Sequence, residues 1–263
     1  MMNIVGYGGG TNSTAMIIGL YQRGVPIDLI LFSDTGGEQP HTYEYLPIMD
    51  KWLREHGLPP ITILEYIDRN GERLTLEQEC LRSGNLPAIA YGNKAWSLKH
   101  KVSTQEKFCN NHPECRKVWE GGERVVKFIG FDAGEERRRT HAIVYDAQDK
   151  KYKNEYPLID WGWFREDCIA AIQQEGLPLP GKSSCFFCPG MKRSEIRTLY
   201  HNHRDLYERA IAIERNAKPN LVSIKGLGRS WSWEDFVQAD KDQTAFCGLF
   251  PENDMPCGCY DGE

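Results

Sequence analysis

Apolar positions in this chain fall into short runs followed by helical stripes. Residues 3–7 form a short apolar run that enters Gly8-Gly9-Gly10, and residues 12–21 (NSTAMIIGLY) then carry apolar side chains at helical spacing, which predicts strand, loop, helix. A second run over 27–32 stops at Ser33-Asp34-Thr35-Gly36-Gly37, and Tyr45, Ile48, Met49, Trp52 and Leu53 then make one stripe within 41–56. That is a second unit of the same kind. Residues 61–67 and 125–131 are short and rich in Val, Ile or Phe, as strands are. Units alternating in this way predict an α/β fold with a mostly parallel sheet and helices on both faces.

Elsewhere the periodicity weakens. Residues 81–104 are irregular and rich in Gly, Lys, Ser and aromatics, the composition of a long loop over a site. Residues 141–158 read as a polar hairpin, 164–175 as a helix, and 193–217 as one or two further helices. Trp161 with Trp163, and Trp231 with Trp233, form W-x-W pairs suited to core or subunit contact, or to stacking a base.

With 40% hydrophobic and 26% charged residues in 263, the composition is that of an ordinary globular protein, and no stretch is apolar enough to span a bilayer. The N-terminal residues lack a basic leader followed by an apolar segment, which reads as cytoplasmic. A net charge of -5 provides no overall basic field, so a small-molecule substrate is favoured over nucleic acid, which local basic clusters leave open. Nothing in these numbers decides for or against a homo-oligomer. Nine cysteines in a reducing compartment point to metal or redox chemistry rather than disulfides.

A glycine run between strand and helix lets backbone N–H groups converge on an anion, with the helix dipole in support. Gly8, Gly9, Gly10, Asn12 and Ser13 occupy that place, although a tight turn with an Asn-Ser helix cap accounts for the same letters. The segment is neither a Walker loop, having no Gly-Lys-Ser/Thr, nor a GxGxxG fingerprint.

Residues 6–13 (GYGGGTNS) resemble the PP-loop of the phosphoadenosine-phosphosulfate (PAPS) reductase-like and ATP pyrophosphatase families, the adenine-nucleotide alpha hydrolases, whose usual form is Ser-Gly-Gly-x-Asp-Ser. Gly8 stands for the usual Ser and Asn12 for the usual Asp. Asp34-Thr35-Gly36 followed by Pro40, Thr42 and Tyr43 is similar to the family's Asp-Thr-Gly-x-x-x-Pro-x-Thr-Tyr. Ser97 to Lys101 is similar to Cys-Thr-x-x-x-Lys with Trp96 in the Cys position, and residues 129–139 are similar to the family's Gly-Ile-Arg-Ala-x-Glu-x-x-x-Arg. The resemblance implies a Rossmann-like (HUP-type) fold, with residues 1–160 as the PP-loop nucleotide-binding core and 161–263 as a smaller, mainly helical region carrying C-x-x-C and C-x-C.

Carried over by position, the resemblance implies that Gly8, Gly9, Gly10, Asn12 and Ser13 hold phosphate oxygens. Asp34 and Thr35 would lie near the nucleotide or its Mg2+, while Ser97, Lys99, Glu135 and Arg137 complete the binding site. Asp34, Lys101 and Arg139 are the candidate catalytic groups, the two cations by neutralising phosphate or sulfate through charge-assisted hydrogen bonds. Without the resemblance, residues 135–139 read equally well as a solvated charged turn.

Cys185 and Cys188 form a C-x-x-C knuckle, and Cys257 with Cys259 would complete a four-thiolate site for zinc or an iron–sulfur cluster. A Ser-Cys-x-x-Cys-Pro segment also occurs in PAPS reductase-like proteins. The competing accounts are a redox pair or buried thiols, with Cys109 and Cys115 as a second pair of candidate ligands. Cys80 and Cys168 lie in helical patterns and read as core.

The resemblance implies an enzyme that takes ATP or a PAPS-like adenine nucleotide. Its reaction would be cleavage between the alpha and beta phosphates with adenylation of an acceptor, or sulfur transfer. A thiol-dependent sulfonucleotide reductase is the alternative, with Cys257 or Cys259 as nucleophile, although the Glu-Cys-Gly-Leu-His tail of such enzymes is absent. A non-catalytic nucleotide-binding accessory protein is the third reading, suggested by the uncharged Asn12.

Overall fold

The computed structural model describes residues 2–242 and 249–251; Cys247, Cys257 and Cys259 lie outside them. Five strands, β1 (Asn3–Gly6), β2 (Leu29–Asp34), β3 (Ile61–Glu65), β4 (Val125–Phe128) and β5 (Tyr152–Glu155), form one sheet in the order β3-β2-β1-β4-β5. Every pairing is parallel, with Val5 opposite Ile30 on one side of β1 and opposite Phe128 on the other.

The helices are α1 (Thr11–Gln22), α2 (Pro40–Glu55), α3 (Leu76–Ser83), α4 (Ala95–Ser97), α5 (Ser103–Asn111), α6 (Pro113–Glu120), α7 (Glu136–Asp146), α8 (Pro157–Asp160), α9 (Arg165–Gln174), α10 (Arg193–Asn202), α11 (Arg204–Ala217) and α12 (Trp233–Lys241). Strand alternation divides the core into two layers. Val5, Ile30, Phe32, Val126 and Phe128 pack with α1, α2 and α9, while Ile4, Leu31, Leu64 and Val125 turn to the other face, against Cys109 and Cys115 of α5 and α6. A third apolar cluster joins α3, α10, α11 and α12 to the C-x-x-C segment through Cys80, Phe186, Phe187, Ile211 and Trp233.

Two segments differ from the sequence expectation. Residues 81–104 are not one long loop: α3 closes at Ser83 on Gly84 in the left-handed conformation, and single turns at Ala88–Tyr91, α4 and Leu98–Val102 lead into α5. These pieces are each too short to produce a periodic signal. The supposed hairpin at 141–158 is the second half of α7 followed by β5, which runs parallel to β4. Helix α7 leaves Ile143 and Val144 exposed, so it has no apolar stripe, and β5 (YKNE) is a polar edge strand.

Cys80 and Cys168 are fully buried, as expected, and burial pushes the Cys168 thiol up to about 12. Trp231 and Trp233 are core residues, whereas half-buried Trp161 and Trp163 meet edge to face beneath the Arg23 guanidinium.

One buried carboxylate staples α11 to α12. Glu214 Oε2 accepts the N–H groups of Leu227 (2.7 Å) and Trp233 (2.9 Å), and Oε1 accepts that of Glu234 (3.3 Å). Burial raises Glu214 to about 7 against the opposing pull of these three donors. A carboxyl with a raised folded-state value binds its proton more tightly when folded, so its stabilising effect is complete below about 4.5 and is lost as pH rises through about 7. Across that window it amounts to about 3 kcal/mol. Urea denaturation of wild type and Glu214→Gln between pH 4.5 and 8 should show this slope in the wild type and a flatter profile in the variant.

Candidate functional site

The order of strands reverses at β1, whose neighbours are β2 on one side and β4 on the other. The loops that leave β1 and β4 therefore diverge and open a crevice beyond the carboxyl ends of the strands, the place where open parallel sheets bind ligands. Two of the candidate segments sit on these loops.

The β1 loop enters α1 without a side-chain cap. Gly10 is the N-cap and makes no side-chain hydrogen bond, which it has no atoms to make, so the turn with an Asn-Ser cap is not what forms. Ser13 lies inside the helix and secures the loop itself, accepting the Gly8 N–H and donating to the Gly10 carbonyl, both at 3.3 Å. Gly9 has φ +81°, and a Cβ there would stand 2.9 Å from the Thr42 methyl. Gly9 is a buried residue, and its N–H has no acceptor among the described residues. A buried donor without an acceptor is costly unless an acceptor arrives from outside.

Asn12 is fully buried and directed across the crevice. Its Nδ2 donates to Asp132 Oδ2 (3.0 Å) and Glu135 Oε2 (3.3 Å), and its Oδ1 accepts from Arg165 Nη1 (2.9 Å). The structure thus joins the glycine loop, the segment after β4 and the first turn of α9. Burial raises Glu135 above the ordinary carboxylate range, and neighbouring Asp132 adds to this while Arg138 opposes it. Gly130 lets the β4 loop pass close to α1, since a Cβ there would meet the Ser13 backbone at 3.1 Å.

The β2 loop is bound internally. Asp34 Oδ1 accepts from the Gly36 N–H (2.7 Å) and Tyr43 hydroxyl (2.6 Å), and Oδ2 pairs with Arg73 (3.2 Å). Thr35 Oγ1 donates to Glu38 Oε1 (2.9 Å) and lies 3.4 Å from Cys185 Sγ. Lys101, buried, pairs with Glu38 at 3.2 Å, while Glu38 Oε2 has no partner among the described residues. Lys99 pairs with Glu79 at 2.5 Å and rests on Tyr66. Arg139 pairs with Asp160 at 3.2 Å, Arg137 is exposed, and Arg138 is held by Glu135 and stacked on Phe131. Lys99, Lys101 and Arg139 are therefore engaged with carboxylates of this chain.

Cys185 and Cys188 are brought together in a turn, with the Cys188 N–H on the Cys185 carbonyl at 3.0 Å. Both line a small cavity of about 30 Å³ with Thr35, Trp96, Ser97 and Lys101. Among the described residues no group of three or more His, Cys, Asp or Glu side chains is arranged to hold a metal, and Cys257 and Cys259 fall outside them. Cys109 and Cys115 share a hydrogen bond on the opposite face of the sheet, away from the knuckle's cluster.

Sequence reasoning missed Arg165, Glu38 and Ser183. Arg165 sits on a stretch that matches no motif, and only its place at the first turn of a predicted helix marked it. Glu38 occupied a variable position of a motif. Ser183 shows no signal in the sequence, yet its hydroxyl donates to the Gly8 carbonyl at 2.5 Å.

No protein-family model matches this chain, and no curated protein matches it. Among solved structures it is similar to the U34-tRNA thiolase NcsA from Methanococcus maripaludis, a structure containing a 4Fe–4S cluster, over 88% of this chain and 77% of that one, with 15% identity and a TM-score of 0.41. No described helix is long and apolar enough to cross a membrane.

Gly9 carries both a left-handed backbone and a close contact, whereas Gly24, at φ +66°, has open space around it. Each Ala substitution carries a left-handed penalty of about 1 kcal/mol. Gly9→Ala adds displacement of a buried methyl, so denaturant midpoints should place it about 1–2 kcal/mol below Gly24→Ala.

Proposed function

We propose that this chain binds ATP or a related adenine nucleotide with its phosphates on the glycine loop, and cleaves it between the alpha and beta phosphates to adenylate an acceptor or prepare it for sulfur transfer. The observation that carries this reading is the N–H of buried Gly9, without an acceptor among the described residues, beside the uncapped start of α1 in the crevice where the strand order reverses.

The Gly9 N–H and the first-turn N–H groups of α1 would donate to phosphate oxygens, with the helix dipole favouring the charge that gathers on a departing pyrophosphate. Arg165 supplies a guanidinium at the same loop. It is half-buried and already oriented by Asn12, so little side-chain freedom is lost when it meets an anion. Asp132 and Glu135 are hard oxygen ligands of the kind that hold Mg2+ together with substrate phosphates. When bound, the ion would supply charge neutralisation at the bridging oxygens.

Two thiols on one tight turn suit half of a soft-metal site, zinc or iron–sulfur, with Cys257 and Cys259 as the remaining ligands. Cys185 and Cys188 share a cavity with Thr35 and Lys101 beside the β2 loop, which supports sulfur transfer over plain nucleotide hydrolysis in this reading.

Isothermal calorimetry should detect ATP binding, and Arg165→Ala should weaken it roughly 10- to 100-fold, the worth of one charge-assisted hydrogen bond. Absence of ATP binding by the wild type sinks the reading. For the knuckle, metal analysis of anaerobically purified protein should find zinc or iron, lost in Cys185→Ser; equal metal in both samples removes Cys185 as a ligand.

A further inference from the structure

The segment carrying the cysteine knuckle is fastened by backbone hydrogen bonds to the β2 loop and by one side chain to the β1 loop. The Gln39 N–H donates to the Ser184 carbonyl (2.9 Å) and the Phe186 N–H to the Gly37 carbonyl (2.8 Å), with Glu38 and Cys185 opposite each other in an antiparallel bridge. His41 Nε2 meets the Lys182 carbonyl at 2.9 Å. The fit is close on both sides: a Cβ on Gly181 would strike the His41 ring, and one on Gly37 would reach Phe187 at 2.7 Å. Ser183 extends this contact to the other loop, its buried hydroxyl donating to the Gly8 carbonyl at 2.5 Å.

The Ser183 bond has a directional consequence. The peptide between Gly8 and Gly9 is planar, and none of the peptide bonds described is cis, so its C=O and N–H point in opposite directions. Holding the Gly8 carbonyl toward Ser183 directs the Gly9 N–H away from it. That N–H, on a buried residue, is the donor without an acceptor among the described residues. The peptide plane has two polar ends, one fixed by the knuckle segment and the other without an acceptor among the described residues, where an anion could supply one.

We propose that Ser183 is a positioning residue that aims the Gly9 N–H at the bound phosphate, and that through it and the Gly37–Gln39 bridge, anion occupancy of the glycine loop and order of the cysteine knuckle are coupled. This rests on the glycine loop being the nucleotide-phosphate site. Binding an anion tightens the Gly8–Gly9 peptide, the Ser183 bond and the 184–186 backbone together. Linkage is reciprocal: whatever loosens the knuckle weakens anion binding by the same factor.

The test combines calorimetry with hydrogen–deuterium exchange on the full chain, using inorganic pyrophosphate and ATP as probes. In the wild type, either ligand should slow exchange of the 181–191 backbone at least about fivefold, the lower end of typical coupling energies. Ser183→Ala should bind more weakly and lose this slowing, and Ser183→Thr, which retains the hydroxyl, should recover both. A purely structural Ser183 would leave the ligand-dependent difference in exchange intact. If the wild type binds ATP or pyrophosphate and exchange over 181–191 does not change, the coupling is wrong while the nucleotide reading stands. Unchanged affinity in a folded Ser183→Ala variant also overturns it. If the wild type binds neither probe, the nucleotide reading fails and the coupling falls with it. Should Ser183→Ala not fold, the wild-type exchange measurement decides alone.

Discussion

Strand β1 is hydrogen-bonded by β2 on one side and β4 on the other, and the chain must leave its end through a loop that neither neighbour can cover. This reversal of strand order determines where everything else can go. It separates the β1 and β4 loops, makes room for the three glycines, and requires α1 to begin at the floor of the crevice. The burial of α1 from Thr11 to Leu20, all but its last two residues, follows from the same constraint, because that helix lies under the loops as well as against the sheet. Gly19 belongs to this packing, its missing side chain admitting the Trp161 ring.

The cations around the crevice are unevenly committed. Lys99 is held by Glu79, Lys101 by Glu38, Arg73 by Asp34 and Glu65, Arg138 by Glu135, and Arg139 by Asp160. A buried pair such as Lys101–Glu38 contributes little net stability, because desolvation offsets most of the attraction, but removing either member leaves a charge unpaired in the interior. Such pairs fix geometry. Lys101 therefore belongs with the wall that joins the β2 loop to the knuckle. Arg165 differs in that its partner is the neutral Asn12 amide. Its charge is not cancelled by that partner, and this distinguishes it from cations already held in ion pairs.

Much of the α/β core was legible because its strands are short apolar runs, α1 is apolar along most of its length and α2 carries a clear stripe. The parallel character of the sheet and the glycine loop as a strand-to-helix turn follow from that pattern, whereas the order of the strands comes from the structure. The polar edge strand β5 and the stripe-free α7 were not legible, because neither buries a continuous face. In the site, the letters identified loops and not partners. Asp34 stands where the motif puts it, yet Gly36, Tyr43 and Arg73 surround it; Lys99 and Lys101 stand in their expected segment, yet each meets a glutamate. Ser183, Glu38 and Arg165 acquire their roles from contacts 175, 63 and 153 positions away, to Gly8, Lys101 and Asn12 in turn. No local periodicity encodes such contacts.

The departure at Asn12 follows from the same network. A carboxylate there could accept from Arg165 but could donate nothing, and it would face Asp132 and Glu135, both now served by the Asn12 amide. Three carboxylates in one buried pocket would favour protonation of at least one of them, and Glu135 is already raised by burial with Asp132 contributing. The neutral amide satisfies both acids and the guanidinium at once. Acidic groups stand at the crevice on the β4 side, at Asp132 and Glu135, oriented by the Asn12 amide. Under the proposed nucleotide reading, an Asn in this loop is compatible with cation-assisted phosphate chemistry, because the oxygen ligands need only lie beside the loop and not within it.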